Sequence, residues 1–424
     1  MNTLINALNA NPGVSDWKIN THWKESYELF FVKGSLETVR CTDTCDTQVT
    51  VYVDHEEFKG DAQFFVYPSD QEPQIADKIQ EAVDKALLIR NKAYSLPGDQ
   101  SGEYAVESNF ANYEPAELAA IIANTVFDAN AVENGSLNSV EIFINRHTQS
   151  IRNSRNLHKT QTRWDAMVEA IPTYNGARES VELYEQYNFS SLDEAVLRRE
   201  IADKMAEVKA RYEAVKPDHK IDCPVVLNTQ ELGDLFRNIV YDLNYASVYS
   251  HSNLFSKGDA IQKEILGDPI GITMAGTIPG SVSSSAFDGD GLDLGSVRIV
   301  ENGKAVSYFG SNRYGQYLGE VPTGNLGCMA VDAGTAELSE LSGMTCLEVI
   351  SMSGLQVDFF SDYIGGEIRL AYLHENGKCT PVTGISISGK LTEILPTIRL
   401  SKQVCVRGGY SGPDKALLTG MKIF

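Results

Sequence analysis

The sequence has no long apolar run, no block of basic residues and no two histidines at metal-ligand spacing. Each absence removes a class of function. Without an apolar stretch of membrane-spanning length there is no expectation of a bilayer protein. The opening MNTLINALNANPGVSDWK also lacks the basic start and continuous apolar segment of a secretory signal, so a cytoplasmic location is the default expectation. With 57 acidic against 36 basic residues, a net charge of −21, a nucleic-acid backbone is repelled rather than gathered. No direct nucleic-acid partner and no membrane partner are expected.

Cysteine is sparse and odd in number, seven in 424 residues, which excludes a disulfide framework for a chain of this size. Cys41 and Cys45 in CTDTC form the one close pair, and the neighbourhood offers no further ligands for a structural zinc. No G-x-S-x-G elbow occurs, and SVSSSAF (281–287) is a Ser-rich loop. The Gly-rich segments lack the spacing that cradles phosphate. Free, partly buried thiols and no nucleotide cofactor are the expectations.

What is present reads as an α+β protein in three parts: an N-terminal sheet-and-helix domain over 1–94, a mixed α/β region over 95–218, and a β-rich domain over 219–424. YELFFVKGSLETVRC, QVTVYVD and DAQFFVYP read as strands. Ile75, Ile79, Ala82, Val83, Ala86 and Leu87 recur at helical spacing, predicting a helix over 74–92. Pro115 suits the first turn of a helix beginning PAELAAII. The runs SVEIFIN, QSIRNS, TQTRWDAMVEAIPTYN and RESVELYEQYNF read as separate strands. Ser191 with Glu194 three residues on resembles a capping box opening a helix whose interleaved Lys, Arg and Glu predict a solvated face. Beyond residue 270 helical pattern nearly vanishes, and Asn302-Gly303 and Asn376-Gly377 predict two tight hairpins in an antiparallel sheet.

PVVLNTQELGDLFRNIVYD predicts a short apolar strand and then a helix. Leu232, Leu235, Phe236, Ile239, Val240 and Leu243 make a continuous core stripe, and Asn228 with Glu231 marks a capped start. Packing alone specifies this helix.

DGDGLDLGSVRIVENGKAVSYFGSNRYGQYLGEVPTGN (288–325) resembles the signature of the TldD/PmbA family, also described as modulators of DNA gyrase. GGEIRLAYLHENGKCTPVTGISISGKLTEIL resembles that family's second hairpin, residues 24–92 its N-terminal domain, and NSRNLH its mid-chain strand end. The resemblance spans nearly the whole chain, with specific motifs in the C-terminal third. It implies a peptidase whose active members hold zinc on a helix carrying His-Glu-x-x-x-His. Superposed on that pattern, Arg237 and Asn238 stand at the His-Glu positions and Asp242 at the second His. Arg237 is permanently cationic and Asn238 cannot serve as a general base, so a zinc site with two imidazoles and a proton-accepting carboxylate is missing.

His251 is the nearest histidine, and Cys405 stands where catalytic relatives place a metal-completing cysteine; both are weak metal candidates. A pairing of Arg237 with Asp242 is one expectation for what replaces the metal. Tyr308, Arg313 and Tyr314, in the most family-like segment, are expected to serve strand packing. The resemblance therefore implies a PmbA/TldE-like chain without catalytic residues or a cofactor of its own. Zinc is expected in a TldD-like partner subunit, and peptides or unfolded proteins are the expected substrate. The alternative is a homodimeric binding or regulatory protein. The third possibility is a lone peptidase using His251, Asp242 and Cys405.

Overall fold

The computed structural model describes residues 1–337, 339–340 and 343–424. The N-terminal half is built on strands much longer than the sequence pattern suggests. β1 (Asp16–Val32) turns at Lys33-Gly34, both at positive φ, into β2 (Ser35–His55), so YELFFVKGSLETVRC is a hairpin tip and not one strand. β3 (Phe58–Val66) follows, then β4 (Asn91–Lys92), β5 (Ser101–Ala105), β6 (Gly135–Asn153), β7 (His158–Tyr174), β8 (Val181–Glu182) and β9 (Glu185–Phe189). SVEIFIN and QSIRNS are the two halves of β6, whose polar centre Asn145–Thr148 continues the ladder. All nine strands form one sheet in the order β4-β3-β2-β1-β6-β7-β5, with β8 and β9 also on β7. β1 pairs with β6 along most of its length, so the expected division at residue 94 does not separate two sheets.

Helices α1 (Asn2–Ala10) and α2 (Glu72–Ala86) cover one end of this sheet, where Ile75, Ile79 and Val83 bury against Ile19, Val49 and Val51. α2 ends before the predicted residue 92 because the apolar stripe stops at Ala86: Leu88 is 81% exposed. α3 (Pro115–Asp128) and α4 (Glu194–Glu213) cover the other end through Leu118, Ile122, Leu197, Ile201 and Met205. The cap of α4 is Asp193, which accepts from the N–H groups of Ala195 and Val196, and not Ser191, whose hydroxyl accepts from Asn109 N–H. A carboxylate directly preceding the helix outcompetes the hydroxyl two residues upstream.

The C-terminal half has two further sheets. Strand β10 (Val225–Asn228) lies within a nine-stranded sheet, between strand 415–418 and strand Cys346–Met352. A six-stranded sheet runs from strand 304–305 to edge strand Val404–Arg407. Between the sheets lies α5 (Thr229–Asp242), which buries the predicted stripe in the largest core cluster of the chain. Each such Leu, Ile or Phe contributes about 1.5–3 kcal/mol by leaving water. Both predicted hairpins form, with Asn302, Gly303, Asn376 and Gly377 at positive φ. The architecture is α+β with mainly antiparallel sheets, and among the described residues no helix is long and apolar enough to cross a membrane.

The acidic turn of the DGDGLD segment joins the halves. Asp288 folds the turn by accepting the N–H groups of Asp290 and Leu292, and its other oxygen takes that of Asn325, at the far end of the same motif. Asp290 then meets Lys18 at 2.6 Å and Asp293 meets the buried Lys159 at 2.7 Å. Arg313 and Tyr314 lie on helix Asn312–Leu318, not on a strand, and Arg313 stacks on Tyr94, Tyr314 and Tyr317 while donating to Asn91 Oδ1. Tyr308 accepts from Lys257 N–H through its hydroxyl.

Candidate functional site

The positions that sequence comparison singles out lie toward the C-terminal end of α5, and each has a local occupation. Arg237 is exposed and makes no hydrogen bond or ion pair among the described residues; its charge is felt by Asp234 one turn earlier. The expected Arg237–Asp242 pair does not form. Both oxygens of Asp242 instead accept backbone N–H groups, from Leu254 at 2.6 Å and Phe255 at 2.9 Å, and so fasten the segment that follows the helix. Burial raises its carboxyl above the ordinary value despite those two bonds. Asn238 donates to the Asp234 carbonyl at 2.9 Å within its own helix.

These residues do not fit zinc. A cationic guanidinium in solvent, an amide turned onto its own helix and a carboxylate with both oxygens committed present no open ligand set. Among the described residues no three His, Cys, Asp or Glu side chains are arranged to hold a metal. His251 is exposed on a turn at φ 56°, and its side chain has no polar partner among the described residues. Cys405 lies at the opposite end of α5, with Sγ 3.2 Å from Thr229 Oγ1. That is about 20 Å along the axis from Asp242 at ~1.5 Å per residue, so His251, Asp242 and Cys405 do not converge on one ion. Burial pushes the Cys405 thiol up to about 11, leaving it protonated at neutral pH.

Around Cys405 the structure brings together residues that sequence reading did not select. A cavity of about 590 Å³ opens between β9 and α4 on one side and the start of α5 with hairpin 404–413 on the other. Thr229, in the first turn of α5, donates to Asp414, and Asn228 caps the helix through Gln230 N–H. Lys204 bridges Glu185 and Glu207, Arg407 meets Glu185 at 2.6 Å, and Lys415 pairs with Glu348. The face of α4 predicted to be solvated is thus, along Glu200, Asp203, Lys204 and Glu207, the wall of a cavity, with Glu207 buried. The capped start of α5 forms through Asn228, but Glu231 is not its reciprocal partner. Its carboxyl is 3% exposed, its Oε2 has no hydrogen-bond partner among the described residues, and burial pushes it up to about 7. Charge alternation along α4 was the available sequence signal; what it faced was fixed by contacts across as many as 140 residues of sequence, as in Arg211 to Ser351.

Comparison with known proteins agrees with this architecture. Residues 220–423 match the PmbA/TldA metallopeptidase C-terminal domain. A metalloprotease PmbA homolog of Haemophilus influenzae is 24% identical over 342 residues, covering 76% of this chain and 69% of that protein. TldE of Thermococcus kodakarensis superposes with a TM-score of 0.80 at 15% identity, covering 100% of this chain and 99% of the other. A candidate modulator of a DNA gyrase from Thermotoga maritima gives 0.77 at 17% identity, covering 100% and 99%. A similar candidate modulator from Bacteroides thetaiotaomicron gives 0.79 at 14%, covering 99% and 97%. Residues 220–423 are thus a domain of the PmbA/TldA metallopeptidase C-terminal type, and the chain as a whole has the fold of the TldE and gyrase-modulator structures.

Proposed function

We propose that this chain is a non-catalytic, PmbA/TldE-like subunit of a cytoplasmic zinc metallopeptidase complex, pairing with a zinc-bearing TldD-like partner that processes peptides or unfolded proteins. The observation that carries this reading is the state of α5. The helix is packed as firmly as a catalytic helix requires, yet Arg237, Asn238 and Asp242 each serve solvent, helix or loop rather than a shared ion. A helix kept for its core stripe after losing its chemistry is expected in a subunit that supplies walls and an interface while its partner supplies the metal.

The test is reconstitution. The purified chain alone is expected to leave an unfolded casein substrate intact, and mixing with a zinc-bearing TldD-type relative is expected to give chelator-sensitive cleavage exceeding that of the relative alone. Chelator-sensitive cleavage by the lone chain, lost on replacing Cys405 or Asp242, would overturn the reading. A homodimeric regulatory role is the second reading, supported by the gyrase-modulator names of two structural relatives. With a net charge of −21 any such effect runs through a protein and not through DNA. Capture of only a second copy of itself, in cells that also make a zinc-bearing relative, favours that alternative.

A further inference from the structure

One edge of the N-terminal sheet is open along the outer half of β2. β1 pairs with β2 from Ser35 to Tyr52, whereas β3 joins β2 only from Thr47 onward. The outward backbone N–H and C=O groups of Ser35–Asp46 therefore have no partner among the described residues, over roughly 40 Å at about 3.3 Å per residue. Every residue of that stretch except Thr42 is exposed. Folded proteins blunt such edges with proline, lysine or a covering element, and SLETVRCTDTCD has neither residue and no covering strand among the described residues. Its one irregularity in pairing with β1, at Phe30 and Phe31, lies close to the hairpin tip. An open edge fits an extended chain, because only a strand supplies donors and acceptors at the matching repeat.

A cavity of about 430 Å³ begins at the same edge and runs inward across the sheet. Direct cross-strand pairing sets its floor in two rows. Cys41, Tyr27 and Ile144 make one, and Asp43, Glu25, Arg146 and Trp164 the other. Helices α1 and α2 cover this face at one end and α3, starting at Pro115, at the other, so the middle is bare and Trp23 is 38% exposed. Arg146 meets Glu25 at 2.8 Å and stacks over Trp164, which closes the far end with its charge matched. The near end is acidic. Glu37, Asp43 and Asp46 make no hydrogen bond or ion pair among the described residues, while Arg40, the one cation of the edge, is held by Glu28. The cavity lies on a face to which alternate residues of an added strand point, and Tyr27, Ile144 and Trp164 give it an apolar lining. A second copy of this chain would set Glu37, Asp43 and Asp46 against themselves in one ladder, so the charge favours a neutral or basic peptide. We propose that the β2 edge from Ser35 to Asp46 takes up an extended peptide as an added strand and seats one large apolar side chain of it in the cavity behind Cys41. The proposal rests on the peptide-handling reading only for the source of the peptide.

Fluorescence anisotropy with the full-length chain tests it. The probe is fluorescein-labelled Lys-Thr-Thr-Phe-Thr-Thr-Lys amide, set against the same peptide with alanine in place of phenylalanine. Binding is expected, and it is expected to weaken about tenfold or more with alanine. Two backbone N-methylated isomers follow, one methylated at phenylalanine and the residues two away, the other at the two residues flanking phenylalanine. An added strand turns only one set of amides toward β2, so one isomer is expected to bind and the other to fail. Cys41→Trp, at an exposed position, is expected to plug the cavity and remove the preference for phenylalanine, with a circular-dichroism melt confirming the fold. Bound peptide is also expected to slow labelling of Cys41 and Cys45 by N-ethylmaleimide several-fold and to leave the exposed Cys379 unchanged. Absence of binding, equal behaviour of the two isomers, a phenylalanine preference that survives Cys41→Trp, or unslowed labelling of Cys41 and Cys45 overturns the proposal. Self-association that protects both thiols without peptide gives the edge to a second copy and overturns it too. Peptidase activity reconstituted with a zinc-bearing relative is scored separately. Peptide binding without such activity refutes the proposed complex and leaves the edge assignment standing, and activity without edge binding does the reverse.

Discussion

The two ends of α5 differ in a way that reverses what sequence comparison suggests. The C-terminal end, where the sequence resemblance would place a zinc motif, is chemically quiet: Arg237 faces solvent, Asn238 bonds its own helix and Asp242 anchors a loop. The N-terminal end, which no metal motif marks, holds a buried carboxyl with an oxygen that has no hydrogen-bond partner among the described residues, a thiol raised by burial and a cavity wall lined with charged residues. The absence of a metal-binding set at one end of the helix does not extend to the polar groups at the other.

The contrast can be broken most forcefully at the shared core. Phe236 is fully buried between the two sheets, so Phe236→Ala is expected to cost about 3–5 kcal/mol in urea denaturation. A cost below 1 kcal/mol would mean that packing does not hold the helix.

Next in size is Glu231. Its carboxyl is raised from 4.5 to about 7 by burial and by Asp234, with Arg407 and Lys204 opposing. Because the folded state holds this proton more tightly than the unfolded chain, stability falls as pH rises from about 4.5 to 7 and stays lower above that. Glu231→Gln is expected to stabilise the protein by up to about 3 kcal/mol at pH 8 and to change little at pH 4, read from denaturation midpoints at the two pH values. Equal effects at both would remove the buried-carboxyl account.

A smaller loss follows from the cap. Asn228 accepts Gln230 N–H and donates to the Ile350 carbonyl at 2.8 Å, so Asn228→Ala should cost about 1–2 kcal/mol by thermal melting. The smallest effect belongs to the quiet end: Arg237→Ala should stay within about 0.5 kcal/mol of the parent. A loss above 1.5 kcal/mol there would point to a partner for Arg237.

How legible this was in the sequence depends on range. The core stripe of α5, its Asn228 cap and both Asn-Gly hairpins follow from spacing and turn chemistry, because each is decided within a few residues. The long strands were underread because polar residues such as Asn145–Thr148 occupy ladder positions in a sheet wide enough to shelter them: His147 is buried between β1 and β7. The exposed sites of Arg237 and His251 fit what their residue types suggest. Glu231 and the α4 wall did not, since burial of a charged side chain is set by elements far away in the chain, here β9 and hairpin 404–413.

The central claim is that α5 persists for its packing and not for a metal. The measurement that tests it most directly is the zinc content of the purified full-length chain, by elemental mass spectrometry after equilibration with micromolar zinc and gel filtration. The account predicts far less than one zinc per chain, unchanged by Asp242→Ala or Cys405→Ala. Near-stoichiometric zinc that either substitution removes would contradict it.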